Sequence, residues 1–333
     1  MSTKMKAYIY TEYGGPEVLQ LVEVEKPTPK EDEVLVKVQA VSINIGDWYM
    51  LSGKPFLVRL MGMGVRKPKN QIIGNDVAGR VVAVGRKVKG FQPGDEVYGE
   101  SGFGAFAEYA TLNENNVALK PANLTFEEAA AVPVAAATAL LGVRDSGQVQ
   151  PGQKVLINGA SGGVGTYAVQ IAKAYGTEVT AVVSTSKMDM VRSIGADHAV
   201  DYTREDFTKN GAKYDVIFGV NGHRSLSEYK QALAPDGVYV CIGGTMKQIF
   251  ESMLLGPLMS LNSRQKIMNM GVANATKQEL SALNELIEAG KVVPVIDRCY
   301  PITEIAEAFR YVGKGHARGK VVLSMEAAES WKV

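Results

Sequence analysis

The run Asn158-Gly159-Ala160-Ser161-Gly162-Gly163-Val164-Gly165 follows an apolar strand-like stretch, Lys154 to Ile157, and opens a segment with helical spacing. Glycines in such a turn let the backbone bend tightly and approach a pyrophosphate. The free N–H groups and the dipole of the helix N-terminus then stabilise its charge. A glycine turn alone also serves as a plain connection; the strand, helix and following strand around this one favour a dinucleotide, with Ser161, Gly162, Gly163 and Val164 at the pyrophosphate. The next strand ends near Ser184, about 20 residues on, where an NAD site usually carries Asp or Glu for the ribose 2′-hydroxyl. Here the run is Ser184-Thr185-Ser186-Lys187, with no carboxylate between Val179 and Met188. Hydroxyls and one ammonium suit a 2′-phosphate, so NADPH is favoured over NADH. Ser186 with Asp189 also has the form of a helix capping box.

These residues need a frame, and the sequence divides into two textures. From Met5 to about Leu119 short strands alternate with turns: Val34, Val36, Val38 and Ala40 share one face, Lys37 and Gln39 the other, and Gln92-Pro93-Gly94-Asp95 makes a turn. That half reads as a β-barrel or sandwich. After Lys120-Pro121, Thr125 with Glu128 starts an Ala-rich helical stretch expected to run through Leu141. Strands at Lys154 to Asn158, Glu178 to Val183, Asp215 to Phe218 and Val238 to Ile242 then alternate with helices, the pattern of a parallel sheet with βαβ crossovers. Thr276 and Glu279 cap a further helix. Val292 to Ile296 and Lys320 to Leu323 read as strands that rejoin the first half. The expected domains are 1–123 completed by 292–333, and 124–291.

The 333 residues are 46% hydrophobic and 21% charged, with a formal net charge of +1, which excludes a disordered chain and any chain-wide field for nucleic acid or an anionic membrane. Cys241 and Cys299 allow one disulfide at most, so a reducing cytoplasm fits best. The start of the chain carries no apolar targeting core. The stretch Met253 to Leu261 is broken by Gly256 and Pro257 and is far shorter than the roughly 20 residues of a membrane helix, so no membrane insertion is expected.

The glycine turn, Gly195-Ala196-Asp197 with Asp201-Tyr202, Gly74-Asn75-Asp76-Val77-Ala78-Gly79 and Gly315-His316-Ala317-Arg318-Gly319-Lys320-Val321-Val322-Leu323 together resemble the medium-chain dehydrogenase/reductase superfamily over nearly the whole chain. The resemblance implies a GroES-like β-barrel catalytic domain interrupted by a Rossmann doubly wound parallel-sheet domain. Zinc enzymes of that superfamily carry Cys within the segment matching Ser42 to Asp47 and His after the glycine matching Gly74. This chain has Asn44 and Asn75 there, and His198, His223 and His316 are scattered, so no metal site is expected.

Asn44, Asp47 and Tyr49 resemble instead the zinc-free quinone oxidoreductases, in which these residues lie beside nicotinamide and substrate. Asp47 also reads as the cap of a helix starting near Trp48. The resemblance further implies Thr138, Ile242 and Gly243 near the nicotinamide, Tyr202 with Ser184 and Lys187 at the 2′-phosphate, and Arg318 and Lys320 closing over NADP(H). It points to hydride transfer to a quinone or other α,β-unsaturated carbonyl, and to a homodimer. An alkenal or enoyl-thioester reductase and a non-catalytic NADPH-binding scaffold or redox sensor are the alternatives. Two features depart from the pattern: the Met-rich, basic segment 57–70, read either as a pliable substrate wall or as a surface loop, and Gly219, where relatives often have Asp. The Met-rich stretch 250–270 reads as pocket lining or a dimer contact.

Overall fold

A computed structural model describes residues 3–222, 224–261, 263–271 and 273–325; His223, one of the scattered histidines, lies outside them. The chain forms two compact units: one holds residues up to Val134 with Asn274–Asn284 and the residues from Pro294 onward, the other Ala135–Ala273 with Glu285–Val293. No helix among the described residues is long and apolar enough to cross a membrane.

In the first unit the strands are β1 (Lys4–Ile9), β2 (Gln20–Glu25), β3 (Glu33–Ile43), β4 (Asp76–Val84), β5 (Glu96–Glu100), β6 (Tyr109–Asn113) and β7 (Val117–Leu119). Strands β1 and β2 pair with each other. The second unit contributes β8 (Lys154–Asn158), β9 (Glu178–Val183), β10 (His198–Asp201), β11 (Tyr214–Gly219), β12 (Leu233–Cys241) and β13 (Lys266–Asn269); β14 (Ile296–Pro301) and β15 (Lys320–Ser324) return to the first. The first unit's main sheet runs β14-β15-β3-β4-β5-β7, with β6 also on β3. The alternation in β3 arises because Val34, Val36 and Val38 enter a core shared with Val77, Val97, Phe106 and Phe309, while Lys37 stays exposed; a register shift between Val38 and Ala40 then brings Val41 and Ile43, not Ala40, into that core.

The second unit's sheet has the order β10-β9-β8-β11-β12-β13, parallel throughout. Counted from β8, that order is 3-2-1-4-5-6, the doubly wound dinucleotide-binding arrangement whose order reverses between β8 and β11. Strand Leu156, Ile157, Val182 and Ile217 are almost fully buried, as strands covered on both faces require.

Local expectations and structure part in places. The stretch after Thr125 is two helices, Phe126–Ala130 and Pro133–Leu141, because proline restricts the residue before it and starts a helix better than it continues one. Val292 to Ile296 is not a strand before its last residue. The Val293 N–H instead donates to Gln170 Oε1 at 2.8 Å and its carbonyl accepts from Gln170 Nε2 at 3.0 Å, so one side chain takes the place of a partner strand. Ser186 and Asp189 form no capping box; Thr185–Lys187 is a short 3-10 turn ahead of the helix Met188–Ser193.

Candidate functional site

In the first unit the strand register assembles a polar cluster. Antiparallel pairing sets Val321 of β15 opposite Ile43 of β3, so Lys320 comes level with Asn44; β4 sets Asp76 opposite Ser42. Asp76 has no solvent exposure and Lys320 only 3%, and their charges meet at 3.1 Å. The Asp76 carboxylate also accepts from the Ser42 hydroxyl at 2.6 Å, the Asn44 amide nitrogen at 3.0 Å and the Val134 backbone N–H at 3.0 Å. Removing either charge would strand the other in a site without water, so the pair is held by its mutual satisfaction.

This arrangement fixes the Asn44 amide without ambiguity. Lys320 can only donate and meets Oδ1; Asp76 can only accept and meets Nδ2. One amide hydrogen of Asn44 has no partner among the described residues, and a buried ammonium on the carbonyl end makes that N–H a stronger donor.

Asn44 is the N-cap of the helix Ile45–Ser52, which begins three residues earlier than a start at Trp48 would place it. Asp47 is therefore the third helical residue, not the cap: its carboxyl reaches back to the Asn44 backbone N–H at 2.7 Å and closes a capping box with it. Burial pushes the Asp47 carboxyl up to about 7, with nearby Asp76 adding to the rise and the N–H groups of Asn44 and Gly74 and the Lys320 charge opposing it. Tyr49 lies further along the same helix; its hydroxyl has no partner among the described residues and makes no bond to Asn44 or Asp47.

Arg318 and Lys320, expected to close over the cofactor, stand in different surroundings. Arg318 is exposed, with its backbone N–H on Asp297 at 2.9 Å, whereas Lys320 is buried on Asn44 and Asp76. Lys320 opens β15, whereas Arg318 lies before the strand, across Gly319 with its φ of +104°.

A zinc ion does not fit here. The Asn44 amide is taken by Lys320 and Asp76, the Asn75 amide by Glu100 at 2.8 Å and the Gly102 N–H at 2.6 Å, and a buried ammonium already supplies the positive charge. Among the described residues no group of His, Cys, Asp and Glu is placed to hold a metal ion.

In the second unit the glycine turn joins β8 to the helix Gly163–Ala174. Gly159 takes a φ of +92°, open to few residues but glycine, and a Cβ there would lie 2.6 Å from the Asn221 nitrogen. A side chain at Gly165 would collide with the Gly159 carbonyl oxygen, so this glycine lets the helix close on the turn. At Gly162, the helix N-cap, a Cβ would meet nothing nearer than the Gly159 oxygen at 3.9 Å, which leaves room for a phosphate at the helix N-terminus. Ser161 is 8% exposed beside it. The residues fit a dinucleotide pyrophosphate.

At the end of β9, Ser184 precedes the turn Thr185–Lys187, and the Tyr202 backbone N–H bonds the Val183 carbonyl at 3.1 Å, which brings Ser184 and Tyr202 side by side. Tyr202 is 57% exposed. Two further residues, to which the sequence assigns no site role, stand here. Asp201, opposite Val183, brings a carboxylate to a turn whose own residues lack one. That carboxylate is 3% exposed and is held below the usual carboxylate range, first by the Thr185 hydroxyl and then by Thr203, with Arg204 at 3.6 Å. Arg204 is the second, an exposed cation. The neighbouring strand end was the signal: an Asp followed three residues later by Arg.

Ile242 and Gly243 both donate backbone N–H groups to the Gly219 carbonyl just past β12, at 2.9 and 3.1 Å. Thr138 is 9% exposed on the helix Pro133–Leu141. At Gly219 any side chain would collide with the Tyr239 hydroxyl; Tyr239 stacks on Tyr229 at 4.3 Å, and Asn158 donates to the Tyr229 hydroxyl at 2.8 Å. Two tyrosines fill the space that an acidic side chain would need. The Met-rich stretch forms the helix Met246–Ser260, with Met253 and Leu258 exposed.

A doubly wound sheet with a glycine turn in one unit and an amide held by buried charges in the other define a two-part dinucleotide enzyme. The chain belongs to the medium-chain dehydrogenase/reductase superfamily, in its quinone oxidoreductase branch, with the GroES-like and Rossmann architecture of that superfamily. Residues 30–122 match the family described as alcohol dehydrogenase GroES-like domain, and residues 194–323 the one described as zinc-binding dehydrogenase. The chain is 37% identical to a 2-methylene-furan-3-one reductase of Solanum lycopersicum and 36% identical to a chloroplastic NADPH-dependent alkenal/one oxidoreductase of Arabidopsis thaliana, over 96% of this chain and 79% of each relative. The solved quinone oxidoreductase of Coxiella burnetii superposes with a TM-score of 0.85 at 27% identity, over 97% of this chain and all of that one.

Proposed function

We propose that the protein is an NADPH-dependent, zinc-independent reductase of quinones or other α,β-unsaturated carbonyl compounds. The observation that carries this reading is the Asn44 amide, oriented by Lys320 and Asp76 with one N–H left to donate. That hydrogen, together with the Tyr49 hydroxyl, is suited to a carbonyl oxygen that gains negative charge during reduction. Bound NADPH supplies the hydride. Lys320 and Asp76 act as positioning residues: they do not touch the substrate, but set the direction and strength of the Asn44 donor. Asp47 holds the Asn44 backbone at the helix start. An enolate or hydroquinone anion is basic enough to take its proton from water.

On the second unit, Ser161 and Gly162 to Val164 hold the pyrophosphate, Ser184, Lys187 and Tyr202 the 2′-phosphate, and Thr138, Ile242 and Gly243 the nicotinamide end. The cofactor is a nicotinamide dinucleotide, and the relative named as NADPH-dependent supports its phosphorylated form. Arg204 adds a cation at the same turn. The catalytic domain is taken as 1–123 with 292–333, and the cofactor domain as 124–291.

Relatives named for a furanone and for alkenals and enones favour conjugated carbonyls of that kind within this class. An enoyl-thioester acceptor is the further alternative, supported by the fold of a solved CurK enoyl reductase at a TM-score of 0.80. Free Cys241 and Cys299 fit a reducing cytoplasm. A homodimer is supported by β13 at the end of the parallel sheet; a monomer mass by light scattering would refute it. The deciding experiment follows NADPH oxidation with 1,4-naphthoquinone, enals and enones, and NADP⁺ reduction with simple primary alcohols. Turnover with a conjugated carbonyl and none with the alcohols is expected. Binding of NADPH without turnover on any acceptor would make the protein a scaffold or sensor, and ready alcohol oxidation would overturn the mechanism.

A further inference from the structure

The net charge of +1 conceals a local imbalance. Between Asp47 and Asp76 the sequence holds Lys54, Arg59, Arg66, Lys67 and Lys69 and no acid. Lys54, Arg66, Lys67 and Lys69 are exposed, and their side chains make no ion pair or hydrogen bond among the described residues. In the same segment Phe56 is 57%, Leu60 57% and Val65 50% exposed.

Arg59 differs from the other cations because it holds the segment together. Its guanidinium lies over the Tyr13 ring at 4.3 Å and its Nε donates to the Gly53 carbonyl at 3.0 Å. The Tyr13 hydroxyl donates to the Met63 carbonyl at 2.9 Å and to that of Gly64 at 2.5 Å, and the Lys69 N–H closes back on Met63 at 2.9 Å. The segment is thus an anchored loop that presents apolar and cationic groups together.

Elsewhere the molecule handles exposed apolar groups differently. The helix Met246–Ser260 exposes Met253, Leu254 and Leu258, but its Lys247 is paired with Glu251 at 3.6 Å. Only a surface that offers negative charge and takes up apolar side chains in the same place satisfies both components of the loop. A nucleic acid answers the cations but leaves Leu60 and Val65 without a partner; an anionic lipid headgroup layer answers both.

We propose that residues 54–69 dock the protein peripherally on an anionic lipid surface, the lysines and Arg66 on the headgroups and Phe56, Leu60 and Val65 at the acyl boundary. The docking goes beyond the catalytic reading and does not depend on it.

The test is sedimentation of the full chain with phosphatidylcholine vesicles, with and without phosphatidylserine, at low and high salt. Phosphatidylserine-dependent binding that salt weakens is expected. Replacing the four free cations together (Lys54→Gln, Arg66→Gln, Lys67→Gln, Lys69→Gln) should lower the partition coefficient by roughly fivefold per charge, several hundredfold in all. A second variant, Phe56→Ser with Val65→Ser, should keep the salt dependence but bind more weakly at every salt concentration. Both should keep the wild-type KM for a water-soluble acceptor. No phosphatidylserine dependence in the wild type, or equal binding by the charge-depleted variant, overturns the proposal. So does salt-sensitive binding to tRNA without binding to vesicles. A raised KM in either variant would assign the segment to the substrate site instead.

Discussion

Replacing Asp47 with Asn should stabilise the protein at alkaline pH and do much less at acid pH. Asp47 is 2% exposed, and burial lifts its carboxyl from an ordinary 3.8 to about 7. Between those values the folded chain holds a proton that the unfolded chain releases. Its stability therefore falls as pH rises through that window, and the loss is complete above the folded value. At 1.36 kcal/mol per pH unit the full shift corresponds to a ceiling of about 4 kcal/mol, and the part falling between about pH 5 and about pH 8 to about 3 kcal/mol. Coupling to Asp76 and Lys320 makes half of that, about 1.5 kcal/mol, the better expectation for the variant's pH-dependent gain. Asparagine still accepts from the Asn44 N–H through its Oδ1. The protonated Asp47 carboxyl is itself a neutral acceptor, so at acid pH the variant loses little at this bond.

The assay is urea denaturation of wild type and Asp47→Asn at both pH values, followed by tryptophan fluorescence. The stability gap in favour of the variant should widen from the acid to the alkaline condition. A gap that stays constant, or a wild type that gains stability relative to the variant as pH rises, would show that the buried carboxyl does not titrate as argued. Turnover of the variant should stay within severalfold of wild type, since the helix start that carries Asn44 is preserved.

Lys320→Met should lower turnover more than it raises KM and cost about 3 kcal/mol of stability, because it leaves Asp76 charged and buried and frees the Asn44 amide to rotate; equal turnover in variant and wild type would refute the positioning role. Lys187→Ala should weaken NADPH by roughly tenfold while leaving NADH unchanged, read by fluorescence titration, and equal losses for both cofactors would remove the 2′-phosphate assignment. Gly165→Ala should cost about 2 kcal/mol or more and abolish tight cofactor binding, since its Cβ collides with the Gly159 carbonyl; a variant with wild-type affinity would mean that the turn tolerates a shift. Activity should survive dialysis against a strong chelator, whereas stoichiometric zinc by elemental analysis with activity lost on its removal would contradict the fit of Asn44 and Asn75.

What the sequence made legible was whatever a few neighbouring residues decide among themselves. Gly159 and Gly165 declare themselves because a positive φ and a close helix approach exclude other residues at fixed offsets, and the β-strand and helix periods flank them on both sides. The break before Pro133 is equally local, and a period count that passed through the proline concealed it. Val293 is the opposite case: its strand-like pattern is real, but the partner is one side chain, Gln170, 123 residues away. Asp201 lies outside the run after β9 in which a ribose-binding carboxylate is expected, and only the parallel pairing of β10 with β9 sets it beside that run.

The Asn44 cluster is the deepest case. Its bonds span 32, 244 and 276 residues, and none of its members has a local pattern that announces it. Lys320 in isolation looks like a surface lysine at a strand start, and Asp76 like a turn residue before β4. Only the registers of β15 on β3 and of β3 on β4 bring an obligate donor and an obligate acceptor to the two ends of one amide. Resemblance could suggest Asn44 as a site residue, but the direction in which its remaining hydrogen points is a property of three strands. A variant that slips any one of those registers should therefore impair turnover as surely as removing Asn44 itself.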